Sequence, residues 1–254
     1  MTMSQEESRF ARPVRPDYQP NADFVPVISA VGLTRVFGSG EMAVTAVKGI
    51  SLEVRAGEFL AVTGRSGSGK TTFLNLLSGL DRPTTGSVEF QGRRLEEYSE
   101  REMVDLRRKK LGFVFQSFGL MPLLSAMENV ELPLHIGGAS WRERRRRAME
   151  SLELVGLGPR SRHRPYELSG GEQQRVSIAR AIATDPDVIF ADEPTGELDT
   201  TTAMSITSIL REVVEQRGTT VLVATHDLTL AGLCSCLLYT SDAADDTPCV
   251  DLGG

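Results

Sequence analysis

Cysteine is scarce in this chain. Its 254 residues hold three, Cys234, Cys236 and Cys249, all near the C-terminus. An odd, clustered set gives no disulfide framework, and Cys234-Ser235-Cys236 has no second ligand pair to complete a metal site. No run approaches about 18 uninterrupted apolar residues, so no segment is expected to span a bilayer. The N-terminus carries no apolar signal core, and the expected location is cytoplasmic. A basic excess is missing too. The formal net charge is −6, which argues against a general nucleic-acid binder. What remains is ordinary globular composition, 40% hydrophobic, in a chain long enough for one large domain or two modest ones.

One stretch organises the rest. Gly64-Arg65-Ser66-Gly67-Ser68-Gly69-Lys70-Thr71-Thr72 lies between an apolar run, Phe59 to Thr63, and a helical pattern, Phe73 to Leu77. Strand, glycine-rich loop and helix are the context of a phosphate-binding P-loop. Gly64, Gly67 and Gly69 let the backbone turn tightly and aim successive N–H groups at one point. The helix start near Lys70 adds its positive dipole end. Lys70 is expected to reach the β- and γ-phosphates, and the Thr71 hydroxyl to bind Mg²⁺. Arg65 and Ser66 fill variable positions.

Residues 1–25 are polar, with Pro13, Pro16 and Pro20 and no hydrophobic period, and read as a flexible extension. Strands are expected at Val27–Val36 and Val44–Val54, around a Gly38-Ser39-Gly40 turn, as a small antiparallel sheet leading into the P-loop strand. Phe37 before that turn reads first as core, with an aromatic face for a base as the alternative. Ser87–Gln91 reads as a short strand, Ser99–Lys110 as a charged helix, and Leu111–Phe115 as a buried strand. Gln116 at its end is either an ordinary polar strand end or an amide that coordinates Mg²⁺ or orients water.

Residues 117–167 change character, mixing Met and Leu with Pro122 and Pro133, and read as a separate helical subdomain. Its run Trp141-Arg142-Glu143-Arg144-Arg145-Arg146-Arg147 reads first as a solvated helix face, with phosphate or anionic lipid as the alternative.

Two further patterns carry chemistry. Ser169, Gly170 and Gly171 precede a helical run, Glu172 to Ala183. That start is either a plain N-cap or a second anion site of free N–H groups, a hydroxyl and the helix dipole. The apolar strand Asp187–Asp192 ends in the carboxylates Asp192 and Glu193. Asp192 suits Mg²⁺ through water, and Glu193 suits a general base on attacking water. After a turn, Pro194–Asp199, come a helix over about Thr201–Gln216 and a buried strand, Thr219–Ala224. His226 lies just past that strand, where ligands bind in open α/β sheets.

In this order the motifs resemble the ATP-binding cassette (ABC) ATPase family. The P-loop is residues 64–72, Gln116 matches the Q-loop, and Leu168–Gln174 reads LSGGEQQ, the family's own motif. Val188–Glu193 matches Walker B with the catalytic glutamate, Gly196–Asp199 the D-loop, and His226 the switch histidine. The resemblance covers roughly residues 27–235 and implies an α/β fold. The implied fold is a P-loop NTPase (RecA-like) core with an antiparallel β subdomain and an inserted helical subdomain at about 117–175. It implies ATP and Mg²⁺ as cofactors and a second copy of the chain as partner. ATP is then sandwiched between the P-loop of one copy and Ser169, Gly170, Gly171 and Gln173 of the other, with Asp199 working across the interface. Phe37 takes the position that stacks on adenine, where most members have Tyr. Gln116 would bind Mg²⁺ and report on the γ-phosphate, Glu193 would polarise water and His226 would contact the γ-phosphate. The loop from Phe115 to Pro133 and the turn Phe37–Glu41 look most like the lipoprotein-release and macrolide-exporter subgroup. That implies an integral-membrane permease as a separate partner and a peripheral position on the inner face of the cell membrane. A soluble ABC ATPase acting on ribosomes or DNA, or a division-site regulator, is the alternative.

The family continues past the histidine with a short helix, which Leu228–Leu233 begins to match, and then a final strand pair. Residues 236–254 match neither and resemble instead the translation of a transposon-end sequencing adapter. They read as a non-native tail behind a domain of residues 26–235. Loss of the family's last strands is expected to leave a sheet edge unpaired and the chain less stable.

Overall fold

The computed structural model describes residues 26–227, 231, 232, 234 and 236–239. Two sheets result from two kinds of strand. The first is antiparallel, in the order β2-β1-β4-β5, from β1 (Ile28–Phe37), β2 (Val44–Val54), β4 (Thr85–Phe90) and β5 (Arg93–Arg94). The second is parallel, in the order β6-β7-β8-β3-β9, from β6 (Leu111–Val114), β7 (Val188–Asp192), β8 (Thr220–Thr225), β3 (Phe59–Thr63) and β9 (Cys236–Tyr239).

Its central strands, β3, β7 and β8, are continuous apolar runs because both of their faces are buried. Alternation assigns the faces. Leu60, Val62, Val188, Phe190, Leu222 and Ala224 point to one side. There they pack with Phe73, Leu74, Leu76 and Leu77 of α1 (Lys70–Leu77) and with Ile28, Leu33 and Val54 of the antiparallel sheet. Phe59, Ile189, Ala191, Val221 and Val223 point to the other. There they meet α5 (Gly170–Ile182) and α6 (Thr200–Arg217), behind which lie α3 (Ala126–Ile136) and α4 (Trp141–Leu154). α2 (Glu100–Lys109) runs into β6.

Most expected elements are present with small shifts in their ends. The expected helical subdomain contains α3 and α4, and α3 continues through Pro133. The buried Asn129 ties the preceding loop down. Its Oδ1 accepts from Met121 N at 2.7 Å, and its Nδ2 donates to Leu124 O and Ser125 O, each at 3.0 Å. The sheet edge expected to be unpaired is covered. Leu60 to Thr63 pair in parallel with Cys236 to Tyr239, because this short apolar stretch satisfies the β3 ladder. Residues 1–25 and 240–254 lie outside the described residues, as does most of the expected Leu228–Leu233 helix. Among the described residues, no helix is long and apolar enough to cross a membrane.

The parallel register brings four strand ends to one edge. Thr63 pairs with Thr225, Asp192 with Ala224, and Val114 with Ala191. The P-loop, His226, Glu193 and Gln116 therefore emerge side by side, where ligands bind in open α/β sheets.

Candidate nucleotide site

The P-loop turns through left-handed glycines between β3 and α1. Gly69 has φ 87°, and a Cβ there would lie 2.0 Å from the Ala46 carbonyl oxygen of β2. Only glycine lets the loop press so closely on the antiparallel sheet. Lys70 opens α1 and is buried. Its Nζ donates to the carbonyls of Gly64 at 2.9 Å and Arg65 at 3.1 Å, and lies 3.4 Å from Glu193 Oε1. The ammonium is thus folded back onto the carbonyls of its own loop.

Glu193 sits between two cationic or ionisable groups. Its other oxygen, Oε2, accepts from His226 Nδ1 at 2.8 Å. The Glu193 side chain is only 14% exposed, against 62% for His226. Its backbone is left-handed, φ 45°, a conformation that costs a non-glycine residue of order 1 kcal/mol or more. That turn re-aims the chain at the strand end, and Glu193 N is held by Ala224 O at 2.8 Å.

Asp192, one residue earlier, takes a different partner. Thr71 Oγ1 donates to its Oδ1 at 3.0 Å. Burial pushes the Asp192 carboxyl above its ordinary range. Glu193 adds to this, while the Thr71 bond and Lys70 oppose it. Among the described residues, no group of three or more His, Cys, Asp or Glu could hold a metal alone. Thr71 and Asp192 instead offer two hard oxygens side by side. That set fits Mg²⁺, which keeps waters and substrate phosphates in its shell and takes one or two protein oxygens.

Gln116 lies in the exposed turn after β6. Its Nε2 is 3.7 Å from where a Cβ on Gly196 would stand, so it faces the turn that follows Glu193. Phe37 is 42% exposed at the end of β1; the core reading of this residue is wrong. The end of an antiparallel sheet leaves it in solvent, with the Arg35 guanidinium 4.6 Å above its ring. It pairs with Val44, two residues before the Ala46 that touches the P-loop.

The remaining expected residues gather elsewhere, at the starts of α5 and α6. Ser169 caps α5 in a reciprocal box with Glu172. Glu172 N donates to Ser169 Oγ at 3.3 Å, and Ser169 N to Glu172 Oε2 at 2.9 Å. Gln173 Nε2 donates to Leu168 O at 3.1 Å. Gly170 packs beside Leu198 and Phe118. A Cβ on Gly171 would lie 2.4 Å from Thr202 Cγ2. Thr202 in turn holds Asp199, its Oγ1 donating to Asp199 Oδ2 at 2.6 Å. Asp199 caps α6 through Thr202 N at 3.0 Å.

Three residues that the sequence reading passed over join these groups. The fully buried Gln174 donates from Nε2 to Pro194 O at 2.7 Å. It ties α5 to the turn after Glu193. Arg180, further along α5, donates to the carbonyls of Phe118 and Gly119 in the loop after Gln116. Burial pulls its guanidinium below its ordinary pKa. Thr202 is the third. Composition and periodicity mark α5 as a helix but carry no signal for which of its polar side chains turns inward.

With this geometry in view, comparison with known proteins is decisive. The ABC transporter family profile matches residues 47–196. The chain belongs to the ABC transporter family. It is an ATP-binding cassette with ATP hydrolase chemistry. The lipoprotein-releasing system ATP-binding protein LolD of Alcanivorax borkumensis is 45% identical over 82% of this chain and 92% of its own length. The macrolide export ATP-binding/permease protein MacB of Marinobacter nauticus is 47% identical over 80% of this chain, which spans 31% of that longer relative. A solved dimer of the Methanocaldococcus jannaschii cassette MJ0796, in a post-hydrolysis state bound to ADP and Pi, superposes with a TM-score of 0.78. It is 40% identical and covers 89% of this chain and 99% of that one.

Proposed function

We propose that this cassette powers a separate membrane permease of the lipoprotein-release or macrolide-export type, from a peripheral position on the inner face of the membrane. Work is done by closing two copies over ATP. The observation that carries this reading is the division of the expected residues into two groups. Lys70, Thr71, Asp192, Glu193 and His226 form one at the sheet edge. Ser169, Gly170, Gly171 and Asp199 form another at the starts of α5 and α6. Each group offers anion-binding donors, and each is half of a nucleotide site. A second copy placed head to tail completes both. The dimeric MJ0796 cassette supports such pairing, and the two named relatives support the permease.

In this reading the P-loop amides, from Gly64 to Thr72, and Lys70 bind the phosphates, and Phe37 stacks on adenine. Thr71, Asp192 and Gln116 would hold Mg²⁺, which when bound neutralises phosphate charge. Entry of the phosphates draws Lys70 away from Glu193. Glu193 Oε1 is then free to accept a proton from the attacking water, while His226 holds the opposite carboxylate oxygen and fixes its direction. Catalysis is positioning and charge stabilisation rather than covalent chemistry.

Glu193→Gln tests the central assignment. ATP binding is expected to survive, hydrolysis to fall about 10²–10⁴-fold, and an ATP-dependent dimer to accumulate in size-exclusion chromatography. Normal turnover in that variant would remove Glu193 from the chemistry.

A further inference from the structure

We propose that the corner between α3 and α4 is a contact surface for anionic lipid headgroups. Two bulky apolar side chains stand exposed there, Ile136 at the end of α3 (60%) and Trp141 at the start of α4 (61%). The turn between them is tight: Gly137 N bonds to Pro133 O at 2.9 Å and Ala139 N to Leu134 O at 3.1 Å. The last turn of α2 closes on the same corner, with Arg108 Nη1 donating to Ile136 O at 3.1 Å. Three elements thus surround one apolar point.

The charge around that point is lopsided. Three carboxylates of the flanking helices are already engaged. Asp105 pairs with Arg108 and Lys109, and Glu143 and Glu150 both pair with Arg146. Arg142, Arg144 and Arg145 face no carboxylate in a salt bridge among the described residues. Arg144 instead meets His135, and the Arg145 guanidinium lies 6.0 Å from the Trp141 ring centroid. A solvated helix face accounts for arginines interleaved with glutamates. It does not account for Trp and Ile held in water beside arginines that no carboxylate neutralises, on a chain whose net charge is −6. Trp with flanking Arg suits a headgroup layer, where the ring sits at the boundary and the guanidinium meets phosphate. None of these residues belongs to the groups assigned to the nucleotide.

Trp141 is the only tryptophan in the chain, so its fluorescence reports on this corner alone. The full-length protein is titrated with vesicles of phosphatidylcholine, with or without about a third phosphatidylglycerol. Expected are a blue shift and co-sedimentation with the anionic vesicles only, both reversed by about 0.5 M salt. Arg142→Gln and Arg145→Gln change exposed side chains, and each is expected to weaken co-sedimentation about fivefold while ATP hydrolysis is unchanged. Trp141→Ala is expected to weaken it further. No blue shift with anionic vesicles, or undiminished co-sedimentation of the double Arg variant, overturns the proposal. An equal blue shift with polyglutamate also overturns it, in favour of an acidic protein partner.

Discussion

Two adjacent carboxylates at one strand end have different partners. Glu193 has Lys70 on one oxygen and His226 on the other. Asp192 has the uncharged Thr71 hydroxyl and a half-buried setting, and its carboxyl titrates above the ordinary range chiefly through that partial burial. A carboxyl whose pKa is raised by folding favours the fold while protonated. Its contribution is lost as pH rises through the folded value, so at neutral pH the ionised Asp192 is a cost. Asp192→Asn keeps an acceptor for Thr71 and removes that cost. The nucleotide-free variant is therefore expected to melt higher than the parent at pH 7 and to lose Mg²⁺-dependent hydrolysis. Differential scanning calorimetry beside an ATPase assay checks both. A lower melting temperature would mean that the charge is better compensated than its surroundings indicate. A site that stores such a cost is common where function opposes stability.

At the scale of the element, the helices are defined by their starts. The spacing Ser-x-x-Glu closes a capping box at Ser99–Glu102, Ser125–Glu128 and Ser169–Glu172, whereas at Ser140–Glu143 only the serine hydroxyl caps its helix. All three carboxyls are held below their ordinary range. Glu102 is brought down to about 2, by Arg93 first and then by Ser99. Glu128 and Glu172 are lowered chiefly by the N–H groups of Ser125 and Ser169. A depressed carboxyl stabilises the fold above its unfolded pKa, and that gain disappears as pH falls toward the folded value. The stability gap between the parent and a Glu102→Gln, Glu128→Gln double variant is thus expected to shrink from pH 6 to pH 3 in urea melts. A gap that holds steady would mean that the boxes act by geometry alone. The same box at Ser169 fixes the N-terminus of α5, and Gln174 and Arg180 along that helix reach the turns after Glu193 and Gln116. One helix therefore joins the cap at Ser169 to the turns that follow Glu193 and Gln116.

At the scale of the whole molecule, the parallel sheet is the frame, and β9 is its outermost piece. β3 lies between β8 and β9, so the strand that feeds the P-loop is interior only because Cys236–Tyr239 covers it. Truncation after Ser235 uncovers that edge. The shortened chain is expected to melt lower and to associate more readily, since an unpaired edge is a template for another strand. Calorimetry and light scattering test this. An unchanged melting temperature would show that β9 adds nothing to the frame. Replacing residues 236–254 by a family-type strand pair is expected to move stability the other way.

Local chemistry made much of this protein legible from the chain alone. The run from Gly64 to Thr72 announces its loop because the left-handed backbone at Gly67 and Gly69 favours glycine. Continuous apolar runs such as Phe59–Thr63 and Val188–Ala191 announce strands buried on both faces, and Val44–Val54 was readable to its ends. Those features depend on neighbours a few residues away. Pairings between distant residues do not. The meeting of Lys70, Glu193 and His226 follows from the order of β3, β8 and β7, which is set by how two sheets and α1 share one core. The exposure of Phe37, the inward turn of Gln174 and Arg180, and the approach of Arg108 to Ile136 have the same origin. Each is decided by which surface another element covers, and that is a property of packing rather than of any local stretch of sequence.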